Sequence, residues 1–414
     1  MIPCRQRGVA PIPGNTPVSA TQTVPTPVEP DPATPPPSRE RSTVRLPLLF
    51  LTDGPLSAPA LLDPRLNAGA NADLYHALPT AAGRGFAYAH HALPVVDRWY
   101  VRAAEVGALT LGIVPFSVYM HEAGHYERAM REGYESSITM TGLASGYTQY
   151  SYGRIGPPDA RTDLAISLAG VNQEEFNSET IYRNATVLDN GRVNWATGLA
   201  YLIARTNSPG YQVRSMLLST PAPGDDMFEW GRWLESSGNP FSLGGSAALS
   251  TAAALASPMT ALSVYGGLRY IFTGDPTVEI PSLRLGPVAL QAPDLHVYLH
   301  PEGPLLEGRT ALRHDASGMS AELHAFGEVG GSVGGVGVAV NEIPVVRGLT
   351  VSSRAAFSGG RPGFGFDVGA GLNYDFNHVV GLSANVGFMN NYPLAEATGR
   401  RTGVSGDLGL RLSF

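Results

Sequence analysis

Near its end the chain alternates strictly: Phe364, Phe366, Val368, Ala370, Leu372, Tyr374 and Phe376 are interleaved with Gly365, Asp367, Gly369, Gly371, Asn373, Asp375 and Asn377. A period of two is the period of a β-strand, so one face is apolar and the other small or polar. Residues 380–388 repeat the pattern, and Val404, Leu408, Leu410, Leu412 and Phe414 give a last strand. Residues 262–272, 295–299, 319–329, 336–340 and 349–357 alternate in the same way. Strands of about ten residues separated by turns fit a membrane-spanning β-barrel, because in lipid every backbone polar group has to be paired internally. A soluble sandwich alternates too, around its own core. The many glycines on the polar face favour the barrel, with roughly eight to ten strands expected.

The chemistry concentrates elsewhere, in His121-Glu122-Ala123-Gly124-His125. Positions four apart share a helix face, so His121 and His125 present two imidazole nitrogens to one point. That suits zinc, with Glu122 able to act as general base on a water in the open coordination position. A helix is expected there: apolar residues run from 106 to 120, Pro115 lies near a plausible first turn, and Gly133 falls where an αL cap belongs, after Arg128 and Arg131. Residues 134–156 are Ser/Thr/Gly/Tyr-rich and read either as a strand beside the helix that holds substrate by backbone pairing or as an ordinary hairpin.

A second helix is expected over residues 163–186, with Leu164, Leu168, Val171, Glu175, Ser178 and Tyr182 on one stripe. Glu175 interrupts an inward face, where a carboxylate needs a charge partner or a metal. Asn172, Gln173, Glu174 and Asn177 crowd the same turn. Residues 206–243 contain Asp225, Asp226, Trp230 and Trp233 without a recognisable motif. The uncharged stretch 236–268 is rich in Ala, Ser and Gly and suggests a small-residue helix followed by a first strand.

His121-Glu-Ala-Gly-His125, with Ala129 and Gly133 at four-residue intervals after it, resembles the pattern of the site-2 protease family, membrane-associated zinc peptidases. Ala169-Gly170 with Asn172 is similar to that family's Ala-Gly-Pro…Asn segment, and Leu188-Asp189-Asn190-Gly191-Arg192 resembles its Leu-Asp-Gly-Gly-Arg. That resemblance implies Asp189 as third zinc ligand, although the proline expected before it and strongly hydrophobic flanking spans are absent. Glu175, Ser178 and Glu179 instead resemble the gluzincin layout, which implies a helical glutamate. Glu175 is the preferred third ligand, with Glu174 and Asp189 as alternatives. Residues 406–414 resemble the closing strand of bacterial outer-membrane proteins, whose final Phe is read by the assembly machinery.

Three regions follow: a Pro-rich tether over 1–44, a helical metallopeptidase-like domain over 45–260, and an antiparallel β-barrel-like domain over 261–414. The fold class expected is therefore α+β. A net charge of −7, with 15% charged residues, gives no reason to expect nucleic acid. The single cysteine, Cys4, excludes an intrachain disulfide framework. Cys4 before the Pro-rich stretch also looks like the mature end of a bacterial lipoprotein, without the apolar segment that precedes one. Scattered histidines (His296, His300, His314, His324 and His378) and the adjacent pair His90-His91 show no ligand spacing. Together these features imply a Zn2+-dependent endopeptidase acting on peptide or protein at a membrane, the bacterial outer membrane being the best match. The alternative is a non-catalytic outer-membrane channel or scaffold with a vestigial metal site.

Overall fold

The computed structural model describes residues 43–51, 68–93, 97–153, 156–217, 225–314, 317, 319–360, 363–397 and 403–413. All belong to the unit spanning 41–414. Cys4, most of the Pro-rich tether and Phe414 lie outside the described residues. The chain opens with strand β1 (Thr43–Leu51), followed by helices α1 (Ala68–Ala92) and α2 (Trp99–Arg131) and the hairpin β2 (Glu135–Gly142) and β3 (Ser145–Ser151). Next come α3 (Ala160–Val187), β4 (Arg192–Asn194), α4 (Trp195–Leu217), α5 (Asp226–Ser236), α6 (Leu243–Ala256) and α7 (Pro258–Thr273). The sheet region contains β5 (Thr277–Glu279), β6 (Ser282–Leu285), β7 (Val288–Gln291), β8 (Asp294–His300), β9 (Gly303–His314) and β10 (Ser320–Glu328). It continues through β11 (Gly334–Val346), β12 (Leu349–Gly359), β13 (Gly365–Asp375), β14 (Val380–Asn390), the short helix α8 (Pro393–Ala397) and β15 (Gly403–Ser413). The architecture is mixed α+β, helical first and then antiparallel.

Local chemistry sets the helix ends. Asp159, Asp225 and Ser242 cap α3, α5 and α6 by accepting from the backbone N–H groups of Thr162, Phe228 and Gly245. Helix α2 ends in a Schellman arrangement: Gly133, at φ 89°, donates to Met130 O, and Tyr134 donates to Ala129 O. Pro115 is not in its first turn. The helix begins sixteen residues earlier, at Trp99, and runs through the proline, with Ile113, Ser117 and Met120 buried around it.

Residues 262–272, expected as a strand, form most of α7. Pro258 opens that helix and Gly274, at φ 81°, closes it. Its buried residues are Met259, Ser263, Gly266 and Tyr270. Those positions follow a helical period, which overrides the period-two reading of the same letters.

Eleven strands form one sheet in the order β1-β15-β14-β13-β12-β11-β10-β9-β7-β6, with β8 also pairing with β9. The expected closed barrel of eight to ten strands is not formed: among the described residues β1 and β6 are the two ends and do not pair. The reason lies at β9, which takes both β7 and β8 along one edge, at Val288–Leu290 and at Asp294–His300. The free edge of β8 then meets helix α3 instead of another strand.

That junction explains the polar turn of α3. Asn172 Oδ1 accepts from Leu299 N and its Nδ2 donates to Leu299 O, both at 2.7 Å. Glu175 Oε1 accepts from Val297 N at 3.0 Å. Tyr298 donates to Glu179, and Arg205 of α4 donates to Leu295 O. A strand edge carries obligatory hydrogen-bonding groups, and here helical side chains satisfy them.

At the other end of α3, the N–H of Thr43 donates to Asp189 Oδ1 at 3.0 Å, tying β1 to the turn after the helix. Burial, opposed by this bond and by the charge of Arg84, pushes the Asp189 carboxyl up to about 7. Because the folded protein holds this proton more tightly than the unfolded chain, stability falls as pH rises from about 4, the ordinary carboxylate range, towards 7. Asp189→Asn keeps the acceptor and removes the titration. We expect its melting temperature to exceed wild type at pH 8, by an amount worth on the order of a few kcal/mol, and to converge with wild type near pH 4.

Candidate metal centre

Helices α2 and α3 cross closely because two glycines face the contact. A Cβ on Gly124 would meet the backbone of Ala169 within van der Waals distance, with Ala169 C only 2.9 Å away. The approach lets His125 Nδ1 reach Ile166 O at 2.7 Å. A carbonyl only accepts, so Nδ1 carries a proton and Nε2 is the nitrogen that could ligate a metal. His121 is held in the same way through its other nitrogen: its Nδ1 lies 3.3 Å from Glu174 Oε1, which also accepts from Asn207 Nδ2 at 3.0 Å.

The two Nε2 atoms therefore face each other at 3.1 Å. Asp226 Oδ2 completes the group, 3.2 Å from His125 Nε2 and 4.0 Å from His121 Nε2. One ligand atom from each of the three lies within 4.8 Å of the others, and the group could hold a metal ion. Two of these separations are close to the roughly 3.3 Å between ligand atoms that stand about 2.0–2.1 Å from a tetrahedral zinc ion, and the third is longer. Gly170 provides the room: a Cβ there would lie 2.7 Å from His121 Nε2 and closer still to His125 Nε2. The space a methyl group would fill is the space towards which both imidazoles point.

Electrostatics agree with a cation site. Burial alone would lower both histidines, but Asp226 and Glu122 push His125 up to about 9, and Glu174 and Glu122 raise His121. Carboxylates that hold a proton on imidazole also favour a divalent cation. The rings remain partly accessible, their side chains 13% and 9% exposed. Tyr211 lies edge-on to His121 with ring centroids 5.7 Å apart. Glu122 is buried on the same turn, and its Oε2 accepts from Thr148 Oγ1 at 2.9 Å.

The third member of the group is thus Asp226, at the start of α5. Asp225 caps that helix and accepts from Ser215 Oγ at 2.7 Å. Trp230 and Trp233 donate to His300 O and Pro301 O, while Met227, Trp230 and Leu234 pack on Leu164, Leu168 and Val171 of α3. Glu175, the preferred third ligand in sequence, is placed elsewhere. It is fully buried in an ion pair with Arg205, with His296 Nδ1 at 3.6 Å. Glu174 stands behind His121, and Asp189 is engaged by Thr43. His90 pairs with Glu105 at 2.9 Å; His296 is fully buried against Asp294. The outward signals for Asp226 were the acidic pair at 225–226 and the amphipathic Met-Phe-Glu-Trp-Gly-Arg-Trp-Leu that follows it.

No known protein-family model matches the sequence, and no curated protein matches it. The His121-His125-Asp226 group is a candidate metal site defined by its geometry.

Two substitutions on neighbouring turns of α3 separate the roles. Gly170→Ala is expected to weaken zinc binding by at least about a hundredfold, as the loss of ligand geometry does, with helical circular dichroism retained. Glu175→Gln is expected to keep stoichiometric zinc but to destabilise the fold by about 3 kcal/mol, because the buried Arg205 loses its direct ion-pair partner. Metal titration and urea denaturation of both variants check this.

Proposed function

We propose that the chain is a membrane-associated zinc metallopeptidase, with His121, His125 and Asp226 as ligands and Glu122 as general base. The observation that carries the proposal is the convergence of two Nε2 atoms and one carboxylate beside a glycine-made space, with a second carboxylate on the same turn. The site-2 protease resemblance of residues 121–133 supports peptide as the substrate class. A zinc ion held by His121, His125 and Asp226 would supply Lewis-acid polarisation of a scissile carbonyl and a water acidic enough to lose a proton near neutral pH. Glu122 would take that proton as general base and return it to the leaving amine. Glu174 and the Ile166 carbonyl, on the Nδ1 sides, keep the imidazoles in one orientation.

The polarity of the sheet supports the membrane part of the proposal. Val336, Phe357, Leu372, Val386, Phe388 and Val404 point outwards and are 40–60% exposed. Arg45, Glu322, Arg354, Asp367, Asn385 and Asp407 point inwards, around a cavity of about 350 Å³ between the sheet, α1 and α3. A sheet in water buries its apolar face, and this one exposes it over five adjacent strands, β11 to β15, the kind of apolar patch that marks a membrane contact. Helix α2 is long and apolar enough to cross a membrane. Its histidine end is nevertheless packed against α3, so we assign the lipid contact to the sheet. The bacterial outer membrane is the setting that such a surface suits.

We expect purified protein to bind one zinc ion, His121→Ala to lose it, and Glu122→Gln to keep it while losing proteolysis of a fluorescence-quenched peptide mixture by about a hundredfold or more. Full zinc occupancy with no proteolysis in wild type would instead identify a non-catalytic scaffold. Protein mixed with lipid vesicles is expected to float with them on a density gradient, and Leu372→Asp with Val386→Asp to shift it to the soluble fraction.

A further inference from the structure

We propose that Thr148 is the positioning residue for Glu122, so that the seating of the β2–β3 hairpin fixes where the base points. The inference rests on the functional reading above. Three residues on one face of β3 make the case. Thr148 Oγ1 lies 2.9 Å from Glu122 Oε2 and 2.9 Å from Glu122 O. A hydrogen bond to a carboxylate is the stronger of these two options, and the β-branched side chain of threonine holds its χ1 firmly. Gly146, two residues earlier, brings the strand so near that an added Cβ would stand 3.1 Å from Glu122 Cγ. Tyr150, two residues later, anchors the hairpin: its hydroxyl donates to Asp163 in the first turn of α3, and its ring packs on Tyr134 at 5.7 Å.

The hairpin therefore bridges α2, through Glu122, and α3, through Asp163. Its own tip stands away from the body, with Leu143 and Tyr147 70% and 43% exposed. A glutamate side chain has three rotatable bonds, and the Gly146 and Thr148 contacts restrict them from opposite ends of the side chain. Oε2 is held by the strand, and Oε1 is left to exchange the proton.

The test compares Thr148→Val, which keeps the shape and removes the hydroxyl, with Thr148→Ser, which keeps the hydroxyl. With the fluorescence-quenched peptide mixture, Thr148→Val is expected to lower kcat about tenfold or more, a fraction of what general-base catalysis contributes, at unchanged KM and zinc stoichiometry. Thr148→Ser is expected to stay within about twofold of wild type on the same scale. If Thr148→Val does not fold, Thr148→Ala carries the same reading. Wild-type kcat in Thr148→Val, or equal impairment in Thr148→Ser, overturns the assignment of the hydroxyl. Turnover lost in Glu122→Gln but intact in Thr148→Val overturns this proposal alone, whereas no turnover in wild type overturns it together with the peptidase reading.

Discussion

The edge of β8 is the constraint on which the molecule turns. Its outward N–H and C=O groups have no strand to pair with, and leaving them buried and unbonded would cost about 1–3 kcal/mol each. Helix α3 meets that demand with Asn172 and Glu175, and α4 contributes Arg205, which donates to Leu295 O, while Glu179 takes the hydroxyl of Tyr298. Each of these side chains is buried, so each needs a partner of its own as much as β8 does. The helical region and the sheet are thereby joined through a polar seam, where purely apolar packing would leave the strand edge unsatisfied. Rigidity follows from direction: hydrogen bonds fix the register of helix against strand in a way that apolar contact does not.

Because the seam fixes one side of α3, the opposite side can be presented to α2 with little freedom. Gly124 and Gly170 remove the side chains that would hold the two helices apart, and the imidazoles fill the gap they leave. Glu174 and Glu175 are consecutive residues facing opposite duties, one behind His121 and the other against Arg205 and β8. Helix α5 arrives from further along the chain, bolted by its two tryptophans to the turn after β8. The same strand that binds α3 thus also locates the helix bearing Asp226.

What could be foreseen in the sequence was whatever is encoded locally. His121, Glu122 and His125 share a helix face by spacing alone, and the strands 349–357, 364–376 and 380–388 declare themselves by alternation. The role of Glu175 was not legible, because a carboxylate among apolar residues looks alike whether its partner is a metal or the guanidinium of Arg205. Asp226 was hidden for the converse reason: it opens a short helix, where an acid is ordinary, and only tertiary packing brings it to the histidines. Residues 262–272 satisfied two periods at once, and the Pro258 and Gly274 caps decided between them. Closure of the sheet is a property of pairing, which alternation does not specify, and β9 accepting two partners along one edge ended it.

The register of β1 has a consequence for how the chain reaches this state. Thr43 pairs with Ser413 and Leu51 with Gly406, so the first strand of the unit completes the sheet against the last. Some 370 residues separate the hydroxyls of Thr43 and Ser413, which meet at 3.0 Å. Closing so long a loop yields no favourable contact until nearly everything between has found its place. During synthesis the leading strand therefore has to wait, solvated or shielded by another molecule, while the helices and the intervening hairpins assemble. The seam between β1 and β15 is the late event in assembly, and the flank of β15 stays open to competing strands until it is made.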